Sequence, residues 1–295
     1  MPKPTKLSLA RHSIFALLSH ASPKVYSEAT LARLLNERRH SWRLAQKTSV
    51  LEFIQYLQDN GKLRPHELSS SRYGKIITRY SWGDASPLDL ALSIKSRSYL
   101  CHATALNLHG LAKLDPKKIY LNAEQSPKPI HSRSLTQNAL DLAFSRQQRE
   151  SNLIYATGEA SVVIISGKST NQLGVESIVA PNFENVLVTN LERTLIDIVV
   201  RPAYSGGPLA VLEAYRAARA RLAVDRLLVT LKKLDYIYPY HQAIGFLMER
   251  SGYPNETCAK LRELGLQHNF YLAHGTARAA FSREWQLYYP TELDT

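Results

Sequence analysis

Two short segments near the N-terminus concentrate side chains that suit contact with nucleic acid. The first segment supplies guanidinium, ammonium, amide and hydroxyl groups from Arg38, Arg39, Arg43, Gln46, Lys47, Thr48 and Ser49. Arginine can bridge the two acceptors of guanine and glutamine can pair with adenine, while lysine neutralises phosphates. The second segment contributes Arg72 and Lys75 on either side of a turn. We predict that these residues contact double-stranded DNA.

The distribution of charge agrees with that prediction. The chain has 295 residues and a formal net charge of +12. Residues 1–80 hold 14 Lys and Arg against 5 Asp and Glu, a net +9, which leaves +3 for the other 215 residues. A basic module joined to a nearly neutral body indicates a polyanionic partner for the module, with nucleic acid favoured over a membrane surface.

The elements that would carry these residues follow from apolar spacing. Residues 7–20 have the period of a helix, Ser27 can cap a second helix, and a third ends at about Gly61. The start of the third helix is ambiguous: Ser41 could cap a long helix, or Ser49 could cap a shorter one with Glu52 completing a capping box. We expect Arg43, Gln46, Lys47, Thr48 and Ser49 to supply the N-terminal part of the recognition helix. Alternation over residues 76–82 then predicts a strand of a two-stranded ribbon, which completes a winged helix-turn-helix.

The remainder of the chain predicts a second, larger domain. The Gly- and Pro-containing stretch 83–87 marks the boundary, giving a DNA-binding domain over 1–84 and a second domain over 85–295. Strands are predicted at 118–123, 153–157, 162–166, 186–188, 270–272 and 285–289, and helices at 88–94, 103–111, 135–148, 191–200 and over most of 208–264. The fold class is therefore α+β, with a helical C-terminal half.

No catalytic motif is evident in the sequence. Gly167-Lys168-Ser169 resembles the end of a phosphate-binding loop, but Val162 stands where the first glycine belongs, so a turn at the end of a strand is expected. Glu192 and Asp197 lie five residues apart, and Asp197 is predicted to pair with Arg193 at i, i+4. We therefore expect no catalytic residue and no cofactor.

Metal and membrane sites are likewise not predicted. His102 and His109 lack a third ligand at suitable spacing, so we expect one to be buried and the other to lie on the surface. The only cysteines, Cys101 and Cys258, exclude a disulfide scaffold. No apolar run approaches the ~18 residues of a transmembrane helix, which favours a cytoplasmic protein.

Three stretches resemble the AbiEi family, the antitoxins of type IV toxin–antitoxin systems that act in abortive infection and phage defence. They are SYLCHATALNLHGL at 98–111, VTNLERTLID at 188–197 with the following Arg201-Pro202 and Gly206-Gly207, and YHQAIGFLMERSGY at 240–253. The second is the most specific. The resemblance spans most of residues 85–290, and a winged helix before such a domain also matches the family plan.

The resemblance implies a repressor that binds inverted repeats in its own promoter through the N-terminal domain. It also implies that the C-terminal domain counters a nucleotidyltransferase toxin, usually without a stable complex. The motif at 192–197 carries over as a signature of the fold, and no DNA-contact residue is carried over from the family. Two alternatives stay open: a winged-helix transcription factor with a ligand-sensing C-terminal domain, and a DNA-directed nuclease using Asp141, Glu159 and Lys168.

Overall fold

Helices and strands are mixed along the described residues, and a run of helices occupies much of the C-terminal half. The computed structural model describes residues 4–70, 72–127, 134–180, 183–275 and 279–294. The first elements are α1 (Lys6–His20), β1 (Val25–Tyr26), α2 (Glu28–Arg38), α3 (Val50–Asn60), β2 (Leu63–Ser70), β3 (Lys75–Trp82), α4 (Pro87–Ile94), β4 (Tyr99–Leu100), α5 (His102–Leu108), β5 (Lys118–Glu124) and α6 (Gln137–Ser145). They are followed by β6 (Ile154–Thr157), β7 (Ala160–Gly167), β8 (Val175–Ala180), β9 (Phe183–Thr189), α7 (Leu191–Val200), α8 (Pro208–Ala218), α9 (Val224–Leu234), α10 (Tyr240–Arg250), α11 (Asn255–Arg262), β10 (Phe270–Tyr271), β11 (Ala279–Ser282) and β12 (Leu287–Pro290). The mixture of helices and sheets confirms the predicted α+β class.

The chain divides into two compact units. Unit 1 comprises residues 1–96 and 153–162, and unit 2 comprises 97–152 and 163–295. Unit 1 therefore includes α4 and the short segment that carries β6, neither of which lies within the predicted domain 1–84. That domain boundary stays a prediction.

Unit 1 contains four helices, α1 to α4, together with the strands β1, β2, β3 and β6. Its strands lie in the order β1-β3-β2-β6, and β2 and β3 form an antiparallel hairpin from Leu63↔Trp82 to Ser70↔Lys75. The hairpin is flanked on both sides, because β3 pairs with β1 and β2 pairs with β6. The expected two-stranded ribbon thus has a further strand paired on each side. Ser71, part of the predicted turn, lies outside the described residues.

The core of unit 1 comes from apolar positions one helical turn apart. Ile14 and Leu18 of α1, Leu31 and Leu35 of α2, and Phe53 of α3 are almost completely shielded from solvent. Burying a leucine or phenylalanine side chain stabilises a protein by about 1.5–3 kcal/mol. The i, i+4 spacing in α1 and α2 places each pair on one face, which fixes how these helices seat on the sheet.

Unit 2 combines a mixed sheet with a helical core. Its strands follow the order β7-β5-β4-β9-β8, with β7 belonging to this unit from Val163 onward. Strand β4 is antiparallel to β5 and parallel to β9. Helix α7 is buried over residues 191–199 and packs with α8, α9 and α10 into the largest apolar cluster of the described chain. A second, three-stranded sheet has the order β10-β12-β11.

Close packing in unit 2 is visible where α10 meets Trp285. The indole is fully buried and donates from Nε1 to Glu249 Oε2 over 2.8 Å. It lies so close to Gly245 that a Cβ built on that glycine would be 2.0 Å from Trp285 Cζ3. A glycine in the middle of this helix therefore serves the approach of the ring.

No helix in the described part of the chain combines the length and the apolar character that crossing a membrane requires.

Candidate nucleic-acid interface

The predicted DNA-contact residues between α2 and α3 lie in a loop. Helix α3 begins after Ser49, whose hydroxyl accepts from Glu52 N over 3.1 Å while Ser49 N donates to Glu52 Oε2 over 2.8 Å. The capping box confirms the shorter of the two predicted helices. The expectation that residues 43–49 form the N-terminal part of a recognition helix is wrong, because they precede α3 in extended and turn conformations.

Two buried side chains anchor the first half of this loop. Trp42 and Leu44 each keep about 7% of their surface exposed, and the Trp42 ring lies 5.9 Å from that of Phe53. Between them, Arg43 adopts a left-handed backbone (φ 51°) and is exposed. Burial at positions i and i+2 does not fit one face of a helix, and this spacing was the signal in the sequence that residues 42–44 are not helical.

Arg39 holds the second half of the loop. Its Nη1 donates to Ala45 O (2.6 Å) and Gln46 O (3.2 Å), and its Nη2 donates to Thr48 O (3.1 Å) and Asn36 Oδ1 (3.2 Å). Both terminal nitrogens are thus engaged within the protein. Neither terminal nitrogen keeps a free N–H for the predicted contact with DNA. Arg39 instead supports the loop.

Most of the predicted residues of this segment are exposed to solvent. Arg38, Arg43, Gln46 and Lys47 are exposed, whereas Thr48 is half-buried. Among the described residues, no carboxylate forms an ion pair with the three exposed cations. The loop therefore offers unneutralised charge beside an exposed amide, the combination that phosphate and base contacts require.

Helix α3 itself is poorly suited to a polyanion. It contains Glu52 and Asp59 and no cation, and both carboxylates are exposed. Its exposed surface also includes Leu51, at 66% exposure, and Gln55, whose Nε2 donates to Asp59 Oδ1. Positive charge in this part of unit 1 consequently lies on the loop and on the last residue of α2.

The tip of the β2–β3 hairpin carries the second predicted segment. Arg72 lies in the turn and Lys75 begins β3, and both are exposed. Sequence reasoning missed two large apolar side chains beside them, Tyr73 and Ile76, which are 61% and 59% exposed. The tip thus places cations next to uncovered apolar surface.

The charged residues of α7 in unit 2 have a structural arrangement. Arg193 Nε and Asp197 Oδ1 are 2.7 Å apart and almost fully buried, which confirms the predicted i, i+4 pair. Burial raises the pKa of the Asp197 carboxyl, although the Arg193 guanidinium lowers it. Burial lowers the pKa of Arg193, but the charge of Asp197 outweighs this effect, so the pKa of Arg193 is raised. The short contact between the two groups favours the ionised pair. Glu192 is fully buried and accepts from Ala223 N and from Arg226 Nη2, which ties α7 to the start of α9.

Of the two histidines considered as metal ligands, His102 is buried, as expected for one of them, whereas His109 is not at the surface as expected for the other. His102 is buried in a left-handed conformation (φ 50°), and its Nδ1 has no hydrogen-bond partner among the described residues. Burial, and then the charges of Arg201 and Arg193, lower the pKa of His102 to about 3, so the imidazole is neutral at physiological pH. His109 is half-buried and contacts Thr189 O over 2.7 Å through Nε2. Across the described ranges, no three His, Cys, Asp or Glu side chains are placed to share a metal ion.

The residues named for a nuclease site have separate roles. Asp141 accepts from Gln137 Nε2 and Tyr271 OH, over 2.7 and 2.9 Å. Lys168, just beyond the end of β7, donates to Leu234 O and Asp235 O. Glu159 lies in the turn between β6 and β7, in unit 1. The contacts of Asp141 and Lys168 hold neighbouring elements together.

Comparison with known proteins yields a likeness in fold. No family model and no curated protein matches the chain. A crystal structure of the RV2827C protein from Mycobacterium tuberculosis is similar, with a TM-score of 0.52 at 16% sequence identity, covering 95% of this chain and 91% of that one. At this identity the likeness concerns the mixed helix-and-sheet fold alone.

Proposed function

We propose that this protein is a cytoplasmic, DNA-binding autorepressor and antitoxin of a type IV toxin–antitoxin system. Unit 1 acts as a winged helix-turn-helix and binds double-stranded DNA at inverted repeats in its own promoter. Unit 2 counters a nucleotidyltransferase toxin, without a stable complex and without catalysis of its own.

The observation that carries the DNA-binding half is the exposed, unpaired charge on the anchored loop. Arg43 and Lys47 flank the free amide of Gln46, and buried side chains hold the loop in place. The element order α1-β1-α2-α3-β2-β3 is typical of winged helices, in which a hairpin tip such as that of Arg72 and Lys75 lies near the backbone of the duplex.

The antitoxin half is supported by the resemblance of residues 98–111, 188–197 and 240–253 to AbiEi proteins. In the structure these stretches form β4–α5, the end of β9 with most of α7, and α10, which pack in the interior of unit 2. They therefore account for a shared fold, and the function is inferred by analogy.

Charge reversal tests DNA binding directly. The double variant Arg43→Glu/Lys47→Glu should lose retention of a duplex taken from the region directly upstream of the gene, because repulsion from phosphates replaces attraction. The matched control is Lys113→Glu/Arg283→Glu, which makes the same change in charge at two exposed residues of unit 2. If the first variant binds as well as the wild type, this placement of the interface is wrong.

Neutralisation is tested in cells with the same variants. Co-expression with a nucleotidyltransferase encoded beside this gene should restore growth with the wild type and with Arg43→Glu/Lys47→Glu, although the latter no longer represses the promoter. Loss of rescue in that variant alone would contradict the division of labour. DNA binding without any rescue would favour a ligand-sensing transcription factor, and cleavage of DNA by the purified protein would favour a nuclease.

A further inference from the structure

We propose that Arg39 is a positioning residue that sets the shape of the DNA-contacting loop, and that bases are discriminated by residues 43–48 of this loop instead of by the face of α3. The inference rests on the proposed DNA binding by unit 1 and assigns the source of its specificity.

The hydrogen bonds of Arg39 converge on the part of the loop that lacks other anchors. Trp42 and Leu44 fix the first half by burial, but residues 45–48 contribute no large apolar side chain to the core. Within this second half, the backbone bond Thr48 N to Ala45 O (3.1 Å) closes one turn. Three carbonyls of the same stretch point to one guanidinium, that of Arg39.

The geometry of the donor explains why this position requires arginine. A guanidinium presents five N–H groups in a planar fork, so two terminal nitrogens can serve four acceptors at fixed angles. A lysine ammonium at the same place carries the same charge but only three donors at a single point. The change Arg39→Lys therefore separates the geometric role of the residue from its electrostatic role.

Gln46 is the side chain through which this support acts. Its carbonyl accepts from Arg39 Nη1, while its side-chain amide is exposed and has no hydrogen-bond partner in the part of the chain that the structure describes. A bidentate contact of glutamine with adenine needs the amide plane held at one orientation. A loop fixed before binding also avoids the entropic cost of ordering its residues on the DNA.

The composition of α3 supports the same assignment. Its exposed carboxylates, Glu52 and Asp59, would face phosphates unfavourably if the whole helix lay deep in the major groove. With the loop in the groove, only the N-terminal end of α3 approaches the duplex, and Glu52 there is already held by the capping box with Ser49.

The test compares two duplexes of equal length, one from the region directly upstream of the gene and one from inside the gene. For Arg39→Lys we expect the ratio of the two affinities to fall by about tenfold, the discrimination contributed by one bidentate base contact. Affinity for the internal duplex and the salt dependence of binding should stay unchanged, because the charge is kept. The matched control is Arg33→Lys, because Arg33 is an exposed arginine of α2 that pairs with Glu37 at the surface.

A double-mutant cycle with Gln46→Ala identifies the route of the effect. If Arg39 acts through Gln46, the loss of discrimination caused by Gln46→Ala should nearly vanish in the Arg39→Lys background. Additive losses, or an unchanged ratio in Arg39→Lys, would overturn the inference while leaving DNA binding intact. Equal affinity of the wild type for both duplexes would instead refute the proposed operator binding. If Arg39→Lys folds poorly, Asn36→Ala can be used instead, because it removes one acceptor of the guanidinium. We then expect a smaller fall in the ratio of the two affinities. An unchanged ratio in Asn36→Ala would contradict the inference.

Discussion

The salt dependence of DNA binding is worked out from the exposed cations of the two predicted contact segments. They are Arg38, Arg43 and Lys47 around the loop, and Arg72 and Lys75 at the hairpin tip. Arg39 is excluded from this set because its terminal nitrogens are engaged within the protein. Each neutralised phosphate contributes roughly −0.9 to the slope of log K against log salt, so full engagement gives a slope of about −4.5 for each protomer. Raising salt from about 50 to about 200 mM should then weaken binding about 500-fold.

Removing one of these cations should change the slope by a fixed amount. Lys47→Ala is expected to reduce its magnitude by about 0.9, so that the same rise in salt weakens binding only about 150-fold. Lys113→Ala, which removes an exposed cation of unit 2, should leave the slope unaltered.

Fluorescence anisotropy of a labelled upstream duplex, titrated at several salt concentrations, measures both slopes. A wild-type slope shallower than about −2 would mean that fewer than half of these cations meet phosphates. An unchanged slope in Lys47→Ala would show that the loop does not lie against the backbone of the duplex. Either result would refute the assignment of the interface to these residues.

Three further predictions concern stability. Ser49→Ala should cost about 1 kcal/mol in the free energy of unfolding measured with urea, since it removes the cap of α3; no cost would mean that another group caps the helix. Asp197→Ala should cost about 3–5 kcal/mol, because it leaves the Arg193 guanidinium buried without its counter-charge; a loss below about 1 kcal/mol would contradict that account. The pKa of His102 is about 3 in the folded protein and about 6.5 in the unfolded chain. The unfolded chain therefore takes up a proton more readily. As the pH drops from 7 to 5, the contribution of His102 to the free energy of unfolding falls by about 2 kcal/mol. His102→Asn, which suits the left-handed backbone, should flatten the pH profile by that amount, and an unaltered profile would show that other groups control it.

Locally encoded features of the fold were predictable from the sequence. The caps at Ser27 and Ser49 and the end of α3 near Gly61 depend on residues within four positions of one another. The pair Arg193–Asp197 is of the same kind, because i, i+4 neighbours on a helix meet whatever the rest of the chain does.

Features that depend on distant partners were not predictable. Strands β8 and β11 were not predicted. Each is defined by its hydrogen bonds to a partner strand, β9 for β8 and β12 for β11. The pairing of β6 with β2 joins Ser69 to Ala156, far apart in the sequence, and no local signal announces it. For α3 the sequence offered both the correct start after Ser49 and a longer helix, whereas the hydrogen bonds of Arg39 that fix residues 45–48 reach up to nine residues ahead and had no local signal.

The second segment of unit 1, residues 153–162, has a consequence for how such proteins can be recombined. Exchange of DNA-binding specificity between relatives by a single crossover after residue 84 would transfer the loop and the hairpin but leave β6 behind. The incoming β2 would then pair with a β6 from the other parent. A C-terminal fragment on its own would carry β6 without β2, and the unpaired main-chain groups of β6 could then pair with other chains. A working chimaera should therefore carry both stretches from the same parent, and natural exchange of this module is constrained to preserve a matching β2–β6 pair.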